Sequence, residues 1–249
     1  MQAEDIDIKQ AVHGKGSAWR TYARFATGTS TLTQLLRYEL ITGLCAACGG
    51  ALGIALRKLC YPMILGSLGR GTVIGRNVTI RGGANIHIGR NVLIDEGCLI
   101  DARGTQSRIA IGNGVIVSRH SVIRSRNAVL EIGAGSDIGA NCLLATDCHL
   151  QIGRQVLIAA YVYLVAGGLH RIDGDDPVIM NQGMEAGKGV TIGDGAWIGA
   201  RSSVLDGANV GAGSVIGAHS LVSRPIPEAV VAYGSPATVR RSRRSRKSS

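Results

Sequence analysis

The sequence predicts a β fold: a parallel β-helix of short strands wound three to a turn, preceded by an α-helical segment and carrying one protruding arm loop. Three observations carry this expectation. An aliphatic residue recurs every six positions, as in Ile88, Ile94 and Ile100 or Ile132, Ile138 and Leu144, from Ile74 to Val222. A second, usually small residue follows four positions later, as at Val78, Val92, Cys98, Ser121, Ser136 and Cys142. Two inward positions in six fit neither the 3.6-residue period of a helix nor the two-residue period of an ordinary strand. They fit strands joined by tight corners, with the aliphatics stacking from coil to coil at about 4.8 Å. Composition is the third observation: 36 glycines in 249 residues, 45% apolar residues and only 4% aromatic. A narrow prism needs many corner glycines and has no room for large rings. Collagen is excluded because glycine lacks a period of three and prolines number five, and disorder because the chain is rich in aliphatics and only 18% charged.

The elements follow in order. Residues 1–29 form a polar N-terminal extension without the pattern of a signal peptide. Residues 30–69 read as helical, with a charge-free run over 40–56 between Arg37 and Glu39 on one side and Arg57 and Lys58 on the other. That run is short of the roughly 20 apolar residues a membrane span needs, and Gly49-Gly50 invites a bend. The segment therefore either lies in a membrane interface or caps the open end of the β-helix, both uses drawing on the same apolar face.

The β-helix occupies 70–224, with corners such as Gly75-Arg76-Asn77. Passing from the third hexad of one coil to the first of the next takes 11 residues at 100–111, 9 at 123–132, 8 at 144–152 and 28 at 164–192. Every insertion thus leaves from one corner, and the largest, 165–191, is an arm of the kind in which rigid scaffolds concentrate function. Residues 225–249 form a C-terminal segment and a basic tail.

The formal charge is +10, from 27 cations and 17 acids. Six cations (Arg240, Arg241, Arg243, Arg244, Arg246 and Lys247) fall in the last ten residues, so the remaining 21 against 17 leave the body at +4. No aromatic residue interleaves the tail arginines to stack bases, so the tail suits anionic lipid or plain solvation and not nucleic acid. Six cysteines without a signal peptide point to a reducing, cytoplasmic setting. Cys45 and Cys48 form a C-x-x-C inside an apolar run with no second pair, and Cys98, Cys142 and Cys148 hold small inward positions as compact hydrophobes.

Three segments are more specific than the hexads: Gly167-Gly168-Leu169-His170-Arg171-Ile172-Asp173 on the arm, Gly195-Ala196-Trp197-Ile198-Gly199-Ala200 after it, and Tyr233-Gly234-Ser235-Pro236-Ala237 near the end. Over roughly residues 70–241 the chain resembles the hexapeptide-repeat O-acetyltransferases, including galactoside and maltose acetyltransferases and especially the polysaccharide-biosynthesis members. The resemblance implies a left-handed parallel β-helix and a homotrimer with parallel axes, with acetyl-CoA as co-substrate in the groove between neighbours and no metal. It also implies a saccharide or lipid-linked saccharide acceptor; the apolar segment and basic tail add the expectation of a cytoplasmic protein with an option of peripheral contact at the inner face of the cytoplasmic membrane.

On the same resemblance, His170 is the general base and the arm delivers it to the thioester. Asp173 is a candidate to orient its ring, with Asp175, Asp176 and a backbone carbonyl equally open. The N–H of Ala200 matches the donor to the thioester carbonyl, and Ala218 a backbone contact to pantetheine. Ser223 with Arg224 matches a Thr-Lys pair near the CoA phosphates, and Arg241 a further cation, although Thr238 stands where an arginine is common. Trp197 flanks the thioester position or packs as a wall residue, and Tyr161, Tyr163 and Asp147 lie near the coil before the arm. A metal-dependent carbonic anhydrase on the same scaffold needs two closely spaced ligand histidines, which His87, His120, His149 and His219 do not supply. Acyl transfer to an amine or from an acyl carrier protein, and a non-catalytic membrane-associated scaffold, are the remaining alternatives.

Overall fold

A computed structural model describes residues 17–243, so residues 1–16 and the tail cations Arg244, Arg246 and Lys247 lie outside the described residues. Among the described residues three α-helices come first: α1 (Ala18–Thr27), α2 (Leu32–Cys45) and α3 (Gly50–Cys60). Helix α1 begins inside the segment read from sequence as an extension. About seven turns of parallel β-solenoid follow, consistent with the expected left-handed coil.

Each hexad aliphatic falls where its period placed it. In the second of three sheets, Ile74, Ile94, Val117, Ile138, Ile158, Ile198 and Ile216 stack in direct register. In the third, Ile80, Ile100, Ile123, Leu144, Leu164, Val204 and Val222 do the same. All are buried, and each such side chain contributes about 1.5–3 kcal/mol of apolar burial. The small inward positions solve a polar problem as well. Ser121 Oγ donates to Gly139 O at 2.8 Å and accepts from Cys142 N at 3.1 Å, and Ser136 repeats the pattern one coil on. A buried hydroxyl satisfied in both senses costs little and ties adjacent coils together.

Two corner features depart from the sequence reading. Left-handed backbone at the corners falls on Asn77, Asn91 and Asn141 as anticipated, but also on His120, Gln155, Tyr161, Arg201 and His219. Such residues hold that conformation at about 1–2 kcal/mol each, so coil stacking and not local preference sets it. Cys148 is the other departure: Cys98 and Cys142 are buried inward, whereas Cys148 is half-exposed at the corner beneath the arm. The two inward thiols donate to carbonyls of the next coil, at 3.2 Å and 3.1 Å. Burial pushes the Cys142 thiol up to about 11, and the Cys98 thiol upward too, as expected of packing residues.

Helices α2 and α3 close the N-terminal end. The first coil has no predecessor, so its outward carbonyls need donors from elsewhere. Tyr38 Oη reaches Ile80 O at 2.9 Å and the buried Arg57 Nε reaches Ile74 O at 2.7 Å. Arg57 Nη1 also holds the carbonyls of Cys45 and Cys48, both at 2.7 Å, docking the end of α2 onto α3. At the far end, strand Val230–Tyr233 extends the second sheet, and Thr238–Ser242 pairs with it antiparallel.

Candidate active site

All insertions leave from the corner between the third and first sheets, and the longest forms the arm. Gly167 and Gly189, its two feet, converge on one carboxylate. Asp206, on the following coil, accepts from the N–H groups of Gly167 at 2.7 Å, Gly189 at 2.8 Å and Lys188 at 2.8 Å. Desolvation pushes this carboxyl up, but the Lys188, Gly189 and Gly167 N–H donors outweigh it and hold Asp206 below the usual carboxylate range. Gly189, with φ +85°, lies so close beneath the His149 ring that a Cβ would meet its Cε1 at 1.9 Å.

Beyond its feet the arm is a hairpin bonded only to itself among the described residues. Glu185 N donates to Leu169 O at 2.8 Å and Arg171 N to Gly183 O at 3.1 Å, which places His170 opposite Met184. At the tip, Asp176 accepts from Val178 N at 2.7 Å and Asn181 Nδ2 at 3.0 Å, and these donors hold its carboxyl below the usual range. Asp176 is thus occupied in closing the tip. His170 is exposed, and no hydrogen bond joins it to Asp173 or to any other described residue within the subunit.

A second arrangement lies at a different corner, between the second and third sheets. Tyr161 N donates to Ala140 O, Arg201 N to Ala160 O and His219 N to Ala200 O, so Ala140, Ala160, Ala200 and Ala218 stand in one column. Their methyl side chains leave it shallow, and the N–H groups of Ala200 and Ala218 have no hydrogen-bond partner among the described residues. Ala200 and Ala218, paired from the sequence only by resemblance, are therefore neighbouring rungs about 4.8 Å apart. Trp197, 47% exposed, points outward from the second sheet just before the column, and Arg201 stacks on Tyr161 at 5.3 Å beside it. Ser223, Arg224 and Arg241 are exposed near the C-terminal end, where Arg240 stacks over Tyr233 at 4.9 Å.

Sequence reasoning missed Asp206 and the Tyr233–Arg240 pair. An acid inside a Leu205-Asp206-Gly207 corner looks like any turn residue, and its three amide partners lie 17 to 39 positions back in the chain. The arm and the alanine column occupy different corners of the prism, separated by a strand of about five residues, or roughly 16 Å.

The bacterial transferase hexapeptide family (six repeats) matches residues 189–224, the stretch running from the foot of the arm past the alanine column. A probable acetyltransferase of Mycobacterium tuberculosis is 32% identical over 144 residues, covering 58% of this chain and 47% of the relative. The galactoside O-acetyltransferase of Lactococcus lactis is 34% identical over 112 residues, covering 45% and 52% respectively. That of Escherichia coli is 34% identical over 110 residues, covering 44% and 52%. The chain thus spans about half the length of these curated relatives.

Proposed function

With a transferase hexapeptide segment at 189–224 and curated relatives named acetyltransferases as the premise, we propose that this chain moves an acetyl group from acetyl-CoA to a saccharide hydroxyl. The acceptor belongs to polysaccharide or glycoconjugate assembly, and transfer is direct, within a ternary complex. His170 takes the proton from the acceptor hydroxyl as that oxygen attacks the thioester carbonyl carbon. The C–S bond breaks and the imidazolium returns the proton to the departing CoA thiolate. Negative charge develops on the carbonyl oxygen, and the free N–H of Ala200 is the donor that meets it. Ala218, one rung on, contacts the pantetheine chain. Ser223, Arg224 and Arg241 hold the phosphates, and Trp197 flanks the thioester. Asp173 orients the His170 ring when the arm is engaged.

One observation carries this reading. Among the described residues a single subunit holds an exposed, unpartnered histidine at one corner and a column of unpartnered N–H groups at another, so neither half is complete alone. A homotrimer with parallel axes completes it, the arm of one subunit reaching the column of the next.

The test is His170→Ala in a preparation whose oligomeric state matches the parent. General base catalysis contributes about 10²–10⁴-fold, so acetyl transfer falls by at least a hundredfold. Transfer that survives within about tenfold removes His170 from the mechanism. Intact-mass screening of hydroxy and amino sugars with acetyl-CoA, followed by hydroxylamine cleavage of esters, separates O-transfer from N-transfer.

A further inference from the structure

The helices that close the solenoid are apolar on both sides. On α2, Leu35, Ile41 and Cys45 are buried, with Tyr38 half-buried beside them. Leu32, Leu36, Leu40 and Leu44 are 50, 60, 64 and 67% exposed. Residues four apart advance by only about 40° around a helix, so these four leucines form one stripe, opposite the buried set. At the same end of the molecule Leu52 and Leu59 of α3, Met63 after it, and Trp19 and Tyr22 of α1 are exposed as well. The sequence reading gave one apolar face two competing uses; the structure separates them, with one face on the cap and the other uncovered by any of the described residues.

The charges say what fits there. Among residues 17–65 the exposed cations are Arg20, Arg24, Arg37 and Lys58, and Glu39, the one acid, accepts a hydrogen bond from Tyr22 Oη at 2.6 Å. A leucine stripe with exposed Trp and Tyr and a cationic surround is the composition of helices that lie in the interface of an anionic bilayer. No helix among the described residues is long and apolar enough to cross a membrane.

We propose that the N-terminal end of the solenoid docks on an anionic lipid surface through the Leu32–Leu36–Leu40–Leu44 stripe, with Arg37 and Lys58 facing the lipid headgroups. This goes beyond the transfer reading and does not depend on it. Joined to that reading, it sets geometry. The arm stands five coils from the cap, about 24 Å along the axis, so an acceptor anchored in the bilayer is met well above the lipid. A trimer with parallel axes would place three such faces on one plane and gain avidity.

The experiment is flotation of the full chain with vesicles of phosphatidylcholine alone and of phosphatidylcholine mixed with phosphatidylglycerol. The parent floats with the mixed vesicles, and added salt weakens binding. Leu36→Gln/Leu40→Gln/Leu44→Gln reduces it by at least about tenfold, with unchanged far-UV circular dichroism and unchanged acetyl transfer to a soluble acceptor. Should that variant misfold, Arg37→Gln/Lys58→Gln decides, since both side chains are exposed and its loss of binding supports docking. A parent that does not float with mixed vesicles, a folded leucine variant that floats like the parent, or a charge variant that still binds overturns the proposal. So does concentration-dependent self-association abolished by the leucine substitutions, which would assign the stripe to a second copy.

Discussion

Substituting Asp206→Asn separates the anchorage of the arm from the stability of the solenoid. The carboxylate receives three N–H groups, from Gly167 at 2.7 Å and from Lys188 and Gly189 at 2.8 Å each. Hydrogen bonds to a charged group contribute about 1.5–3 kcal/mol each. An amide keeps one acceptor oxygen and turns an NH2 group onto at least one of these donors, so one or two bonds are lost, roughly 1.5–6 kcal/mol. At 1.4 kcal/mol per tenfold, the feet of the arm open about 10- to 20,000-fold more often. The arm adds little to the core, as Ile172, Ile179 and Met180 are all exposed, so thermal unfolding of the solenoid moves little. Hydrogen–deuterium exchange read by mass spectrometry on peptides covering 165–190 measures the effect directly. If the chain acts as proposed, holding His170 less well lowers kcat for acetyl transfer, while KM for acetyl-CoA holds because the alanine column is untouched.

The same anchor has a pH dependence of fixed sign. The folded Asp206 sits below its ordinary value, so its contribution is fully present above about pH 4 and fades as pH falls through the lower folded value. Protection of 165–190 is therefore flat through neutral pH and falls on acidification in the parent, and is already reduced, without that acid step, in Asp206→Asn. Unchanged exchange in the variant, or equal loss of protection across the coils, refutes the argument.

Arg57→Met removes the donor to Ile74, Cys45 and Cys48 and leaves those carbonyls without a partner, costing about 2–4 kcal/mol in denaturant unfolding. A stability equal to the parent's would show that the cap does not depend on that guanidinium. With its thiol pushed up to about 11 by burial, Cys142 stays unmodified by an alkylating agent at pH 8 in the folded protein while Cys48 reacts, as peptide mass mapping would show. Equal labelling of the two would mean that the coil around Cys142 opens.

Much of the site was half-legible. His170, Ala200 and Ala218 could be put forward as candidates because the segments around them resemble a known transferase family, and such local patterns survive in a linear string. Asp206 could not, because its meaning lies in three amides brought to it from Gly167, Lys188 and Gly189 by coil stacking. The leucine stripe on α2 was visible as apolar residues, but a string cannot show which side of a helix meets the solenoid. A single charge-free run therefore read as one face with two uses.

Periodicity alone determined the coil. Once Ile, Val and Leu recur every six residues with small partners four later, stacked burial leaves few other solutions, and the insertions must gather at one corner. Which groups meet across coils was decided only by the tertiary structure. It placed His170 and Ala200 at different corners of one subunit, closed the arm on Asp206 and turned four leucines of α2 away from the core. Hydrophobic period is a property of sequence spacing, whereas hydrogen-bond convergence and exposure depend on distances between residues far apart in the chain.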